Sequence, residues 1–143
     1  MIITRTPYRI SFMGGGTDYE SWYSMNGGHV LTSTIDKYCY VCLRKMPAFL
    51  GHKYRVFWSK MENVDTLDEI QHPGVKGCLK YFGIDDGIEI NHAGDLPARS
   101  GLGSSSAFTV GMLHALHILT GDLCDKKTLA REAIEVEQKV LHE

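Results

Sequence analysis

The opening residues 2–13 are rich in β-forming side chains, interrupted by Pro7, and predict a strand. Gly14-Gly15-Gly16-Thr17-Asp18 stops the pattern, and Tyr19 to Met25 predicts one or two helical turns ended by Asn26-Gly27-Gly28. His29 to Ile35 and Tyr38 to Lys45 predict two strands joined by a tight turn at Asp36-Lys37, and Tyr54 to Ser59 predicts a third with alternating character. Leu67 to Ile70 reads as a short helical turn. Pro73 to Phe82 reads as a helix, with proline near its start and Gly83 just past its end. Ile88 to His92 is strand-like. Ser104 to Leu119 is apolar almost all round, the mark of a buried helix, and Gly121 closes it. A last helix starts near Lys126 with Asp125 as its N-cap. Strands come mostly first and long helices last. That order predicts an α+β fold in which both long helices cover one face of a mixed sheet.

The last helix carries a conflict. Spaced at roughly 100° per residue, Leu129, Ala130, Ala133, Ile134, Val136, Val140 and Leu141 gather on one side. Arg131, Glu132, Glu135, Gln138, Lys139 and His142 gather on the other. Glu137 falls near the middle of the apolar stripe. A buried carboxylate needs a partner or a proton. A divalent cation is one such partner, and a salt bridge to a Lys or Arg at the core's edge is another.

Composition narrows the classes. The 143 residues carry a formal net charge of −2 and are 43% hydrophobic. Such a length reads as one domain burying roughly 70% of its unfolded surface. This is too apolar and too weakly charged for a disordered tail, and there is no basic excess to clamp nucleic acid. The longest apolar stretch, Phe108 to Leu119, is interrupted by His114 and His117 and is too short to span a bilayer. The N-terminus lacks the pattern of a signal peptide, so the expected address is the cytosol. Cys39 and Cys42 form a C-x-x-C, but on a strand positions three apart face opposite ways. No second ligand pair follows, so Cys39, Cys42, Cys78 and Cys124 read as ordinary structural thiols.

Two glycine loops carry the candidate chemistry. Gly101-Leu102-Gly103-Ser104-Ser105-Ser106 opens the buried helix. The first N–H groups of a helix lack internal partners and carry the positive end of its dipole. Glycines permit close approach, and the serine hydroxyls add donors or a metal ligand, so the loop suits phosphate. The spacing matches neither the Rossmann fingerprint nor a Walker A loop, and no G-x-S-x-G is present. An ordinary glycine turn with serine caps is the alternative. The other loop, Gly14-Gly15-Gly16-Thr17-Asp18, follows Arg9, a permanent cation able to stabilise phosphoryl charge. Asp18 can accept from two hydroxyls of a polyol, or it can simply cap the short helix after it.

Taken together, the two loops resemble a known family. Pro7 to Tyr19 (PYRISFMGGGTDY) resembles the first motif of the galactokinase, homoserine kinase, mevalonate kinase and phosphomevalonate kinase (GHMP) superfamily. Leu96 to Ala107 (LPARSGLGSSSA) resembles its second motif, P-x-x-x-G-L-G-S-S-A. The resemblance implies an N-terminal domain of the ribosomal protein S5 domain 2-like type. It also implies ATP as phosphoryl donor, with Pro97, Ser100, Gly101, Leu102, Gly103, Ser104, Ser105 and Ser106 around its phosphates. By motif position Ser105 and Glu137 would ligate Mg²⁺. Arg9 would serve catalysis beside the transferred group, and Gly15, Gly16, Thr17 and Asp18 would face the sugar.

The Gly-Gly-Gly-Thr-Asp-Tyr version is most similar to kinases acting on D-glycero-D-manno-heptose 7-phosphate at the anomeric hydroxyl. Galactokinases carry Glu and His where this chain has Gly15 and Gly16, which disfavours galactose and leaves room for a bulkier sugar. A kinase for another sugar such as fucose, or a nucleotide-binding fragment without chemistry, are the alternatives. The resemblance further implies a catalytic Asp segment after the Mg²⁺ glutamate and a C-terminal domain. On that reading residues 1–143 are the N-terminal domain of a longer kinase, weakly active or inactive alone. The implied partners are ATP and a sugar phosphate, with no nucleic acid and no membrane.

Overall fold

The computed structural model describes residues 1–141. His142 and Glu143, the end of the last expected helix, lie outside the described residues. The chain forms β1 (Ile2–Met13), α1 (Glu20–Asn26), β2 (Leu31–Lys45), β3 (Tyr54–Phe57), β4 (Met61–Val64), α2 (Pro73–Phe82), β5 (Ile88–Gly94), α3 (Ser104–Thr120) and α4 (Lys126–Glu135). The strands make one sheet in the order β1-β2-β5-β3-β4, with β3 parallel to β5 and the other pairs antiparallel. The fold is the expected α+β arrangement with a mixed sheet.

The core lies on one face of that sheet. Alternate positions Cys39, Val41 and Leu43 of β2 are buried, with Tyr54, Val56, Ile88 and Ile90 beside them. Met112, Leu113 and Leu116 of α3, Val75, Cys78 and Leu79 of α2, and Leu129 and Ala133 of α4 complete the cluster. Gly111 lets α3 approach β1 closely. A Cβ there would lie 2.9 Å from Thr6 Oγ1, and Thr4 Oγ1 donates to Gly111 O at 2.9 Å. The opposite face carries Arg44 and Arg55 around Glu89, and the Arg5 guanidinium 4.4 Å over the Tyr38 ring. No helix among the described residues is long and apolar enough to cross a membrane.

The structure corrects the sequence reading in four places. Asp36-Lys37 is not a turn: β2 runs unbroken for 15 residues. Between the pairs Pro7↔Tyr38 and Arg9↔Thr34, residues 35–37 oppose Tyr8 alone, so the polar pair is a bulge in the ladder. Pro7 is tolerated because β1 is an edge strand. The polar strand β4 escapes a hydrophobic pattern; it pairs with β3 as a hairpin. Tyr19, not Asp18, is the N-cap residue of α1, with no side-chain cap. The last helix changes gauge, α4 giving way to a π-helical turn over Val136–Val140, where Leu141 N–H bonds Val136 O at 2.9 Å. This turn packs on α2 at Gly77, whose Cβ position would sit 2.8 Å from Leu141 Cδ2.

Cys39 is fully buried, and burial pushes its thiol up to about 12; Cys42, on the other face of β2, is half-buried. None of the four cysteines is paired in a disulfide.

Candidate active site

The β1–β2 bulge is where the site begins. An unbroken pleat would send Tyr8 and Arg9 to opposite faces. Here Tyr8 enters the core, while Arg9 N–H donates to Leu102 O at 3.1 Å. The Arg9 side chain lies against Gly103, whose Cβ position would fall 3.2 Å from Arg9 Nε. Gly103 has φ 74 and ends the loop as the N-cap residue of α3. A larger residue there would meet both a backbone strain and the guanidinium. Gly101 (φ 75) and Arg99 (φ 61) are also left-handed. The first intrahelical bond of α3 runs from Ala107 N–H to Gly103 O at 2.9 Å, so its opening turn directs N–H groups outward along the axis.

Two cavities flank this turn. The first, of about 790 Å³, is lined by Arg9, Gly15, Thr17 and Asp18 from one end of the chain and Ser106, Glu137 and Gln138 from the other. Ser106 Oγ donates to Glu137 Oε2 at 3.2 Å. Glu137 is half-buried on the π-helical turn, consistent with its place in the apolar stripe. A hydroxyl beside a carboxylate, both oxygen donors, fits a hard cation that keeps few protein ligands. Ser105, the hydroxyl designated by motif position, is the preceding residue; it is exposed and lines the second cavity.

The first glycine loop is a 3-10 turn (Gly15–Thr17), in which Thr17 Oγ1 donates to Gly14 O at 2.8 Å. Gly14 has φ 90, and a Cβ there would collide with the His29 carbonyl. Gly15 and Gly16 differ: nothing lies within 4 Å of their Cβ positions. Asp18 is exposed at the cavity, and the capping role open to it in sequence is not used. Pro97, Ser100 and Gly101 form the exposed outer arm of the second loop and line neither of these two cavities. Lys53 is held by Asp85 at 2.6 Å, and Arg99 lines the second cavity.

The second cavity, of about 500 Å³, was not legible in the sequence. Tyr8, Trp58, His72, His92 and Phe108 line it, together with Arg99, Ser104 and Ser105. These rings come from separate elements, and no local motif joins them. His72 packs 4.7 Å from Phe108 and 4.9 Å from Trp58, centroid to centroid. Burial, helped by neighbouring His92, pulls the His72 pKa down to about 4, and burial also lowers His92. Glu62, buried nearby, accepts from Trp58 Nε1 at 2.7 Å and from Gln71 N–H at 2.6 Å.

Comparison with known proteins bears on this geometry. Residues 73–143, which include the serine-rich loop and Glu137, match the profile of the GHMP kinases N terminal domain. The chain belongs to the GHMP kinases. The D-glycero-α-D-manno-heptose 7-phosphate kinase of Campylobacter jejuni is 26% identical over 98% of the chain, which spans 44% of that relative. A galactokinase of Pyrococcus furiosus is 31% identical over 92% of the chain, which spans 38% of it. Among solved structures, a D-glycero-D-manno-heptose 1-phosphate kinase from Bacteriodes thetaiotaomicron superposes with a TM-score of 0.85 at 22% identity. That match covers 99% of this chain and 49% of the other, and it shows a shared fold. The chain thus spans less than half the length of these relatives.

Proposed function

We propose that this GHMP domain supplies the nucleotide and acceptor loops of an ATP-dependent sugar kinase. Its substrate on this reading is D-glycero-D-manno-heptose 7-phosphate, phosphorylated at the anomeric hydroxyl. The observation that carries the proposal is the shared first cavity, where Arg9 and Asp18 meet Ser106 and Glu137 across more than half the chain. The α3 N-terminus would hold the nucleotide phosphates through its N–H groups and dipole. Ser104 and Ser105 would stand at the junction of the two cavities, with the base lodged among the rings of the second. Arg9 would stabilise charge on the transferred phosphoryl group. Asp18 would accept from sugar hydroxyls. The open space beside Gly15 and Gly16 would admit a heptose where a side chain would intrude.

Mg²⁺ held by Glu137 with Ser106 or Ser105 would offset the charge of the nucleotide phosphates. Catalysis of this kind is positioning plus electrostatic stabilisation. The kinase relatives support the class of reaction, and the heptose kinase among them supports the substrate.

Calorimetry with Mg-ATP, with and without heptose 7-phosphate, tests the binding half on this chain. ADP release with heptose 7-phosphate, fucose and galactose tests the chemistry, on the chain and on any longer natural protein that contains it. Preference for heptose phosphate supports the proposal. Preference for fucose or galactose overturns the substrate, and nucleotide binding with no transfer to any sugar overturns the kinase assignment.

A further inference from the structure

The hydrogen bonds of the second cavity fix where two protons sit. His72 is the N-cap residue of α2, and its Nδ1 accepts from Val75 N–H at 3.2 Å. A backbone amide cannot accept in return, so Nδ1 carries no proton and the proton of neutral His72 is on Nε2. His72 Nε2 lies 3.2 Å from His92 Nδ1. With a proton on the first nitrogen, the second must be the acceptor. The proton of neutral His92 is therefore on Nε2. The reverse polarity would set two N–H groups against each other at His72 Nδ1.

Burial disfavours the charged form of both rings. The surrounding groups do not disturb this order. Glu62 is engaged by Trp58 and Gln71, Tyr8 is a buried phenol whose pKa burial raises, and Arg99 lies on the exposed rim. His92 itself lines the cavity and packs at a tilt against Phe108, 4.5 Å between centroids.

We propose that His92 Nε2–H is the base-reading donor of this cavity, its tautomer imposed by His72 from the N-terminus of α2. The ligand it selects is a nucleotide whose base presents a ring-nitrogen acceptor to that donor while stacking among the rings. His92 is a specificity-determining residue on this account, and His72 is a positioning residue. The inference rests on the placement of the nucleotide base in the second cavity.

The test uses the chain with Mg-ATP, inorganic tripolyphosphate as a probe lacking the base, and ATP analogues each lacking one ring nitrogen. Nitrogen NMR of the unliganded wild type should show both histidines as Nε2–H tautomers. His92→Phe keeps a ring and removes the donor; it should weaken ATP binding about tenfold, the worth of one ordinary hydrogen bond, and leave tripolyphosphate unchanged. His92→Gln keeps a donor and should restore most of the affinity. One nitrogen-deleted analogue should bind wild type about tenfold more weakly than ATP and bind His92→Phe no worse than ATP does. An Nδ1–H tautomer at His92 overturns the inference without any variant. If ATP binds better than tripolyphosphate and shifts the Phe108 resonances, but His92→Phe binds it equally well, the donor role falls and the base placement stands. If ATP and tripolyphosphate bind alike and Phe108 does not respond, the base placement falls and takes the donor role with it.

Discussion

The two cavities share the opening turn of α3 and differ in almost everything else. The first brings together charged and hydroxyl groups, Arg9 of β1 and Asp18 of the first glycine loop on one side and Ser106 of α3 and Glu137 of the π-helical turn on the other. The second is built from rings supplied by β1, the β3–β4 hairpin, the cap of α2, β5 and α3. Charge and backbone freedom are local properties, and they leave local marks. Aromatic enclosure is a property of how elements meet, and it leaves none. On the proposed reading, polar chemistry falls to the first cavity, and recognition by shape and one oriented proton to the second.

The largest expected effect tests the first cavity. Glu137→Gln keeps the volume and the contact to Ser106 while removing the charge. Phosphoryl transfer by a protein containing this domain should fall on the order of 100-fold, with its Mg²⁺ dependence flattened. A rate within twofold of wild type would remove Glu137 from the chemistry. Next comes the backbone of the first glycine loop. Gly14→Ala should destabilise the fold by about 1–3 kcal/mol in denaturant melts, because the left-handed conformation disfavours a side chain and the His29 carbonyl occupies its space.

The second cavity predicts a pH signature. His72 has a folded pKa of about 4 against an ordinary 6.5, so the folded state resists protonation more than the unfolded one. That contribution to stability is intact above pH 6.5 and is lost as pH falls from 6.5 towards 4. His72→Asn retains an N-cap acceptor and removes the titration. Its melting temperature should vary less across that window than the wild type's, and equal slopes would contradict the assignment. The smallest effect belongs to Gly16→Ala. With open space at its Cβ position and no left-handed backbone, stability should stay constant or rise by up to about 1 kcal/mol. A loss as large as that of Gly14→Ala would erase the contrast between a glycine the turn requires and one that leaves room.

Much of the framework was readable in advance, for reasons that particular residues make plain. Pro73 and Gly83 bracket α2, Gly121 ends α3, and Asp125 caps α4 by accepting from Thr128 N–H at 2.7 Å. Each is a local backbone demand. Glu137 stood out in the sequence as a carboxylate on an apolar stripe, and the structure places it half-buried beside Ser106 in the first cavity. What escaped depends on pairing. Asp36-Lys37 carries a turn's composition, yet its conformation is set by the register of β1 against β2. β4 is held by its hairpin partner and by the bonds to buried Glu62, not by apolar alternation. The His72–His92 contact joins residues 20 apart from different elements, and neither histidine has a neighbour in sequence that marks it.

Chemical-shift mapping of the chain's backbone amides and histidine side chains tests the central claim most directly. Mg-ATP should move the amides of Ser104, Ser105 and Ser106 and the rings of His72 and His92. Subsequent heptose 7-phosphate should move Gly15, Gly16 and Asp18. Shifts confined to the open sheet face around Arg5, Arg44 and Arg55, or a sugar response that leaves the first glycine loop untouched, would contradict a single site assembled from the two loops.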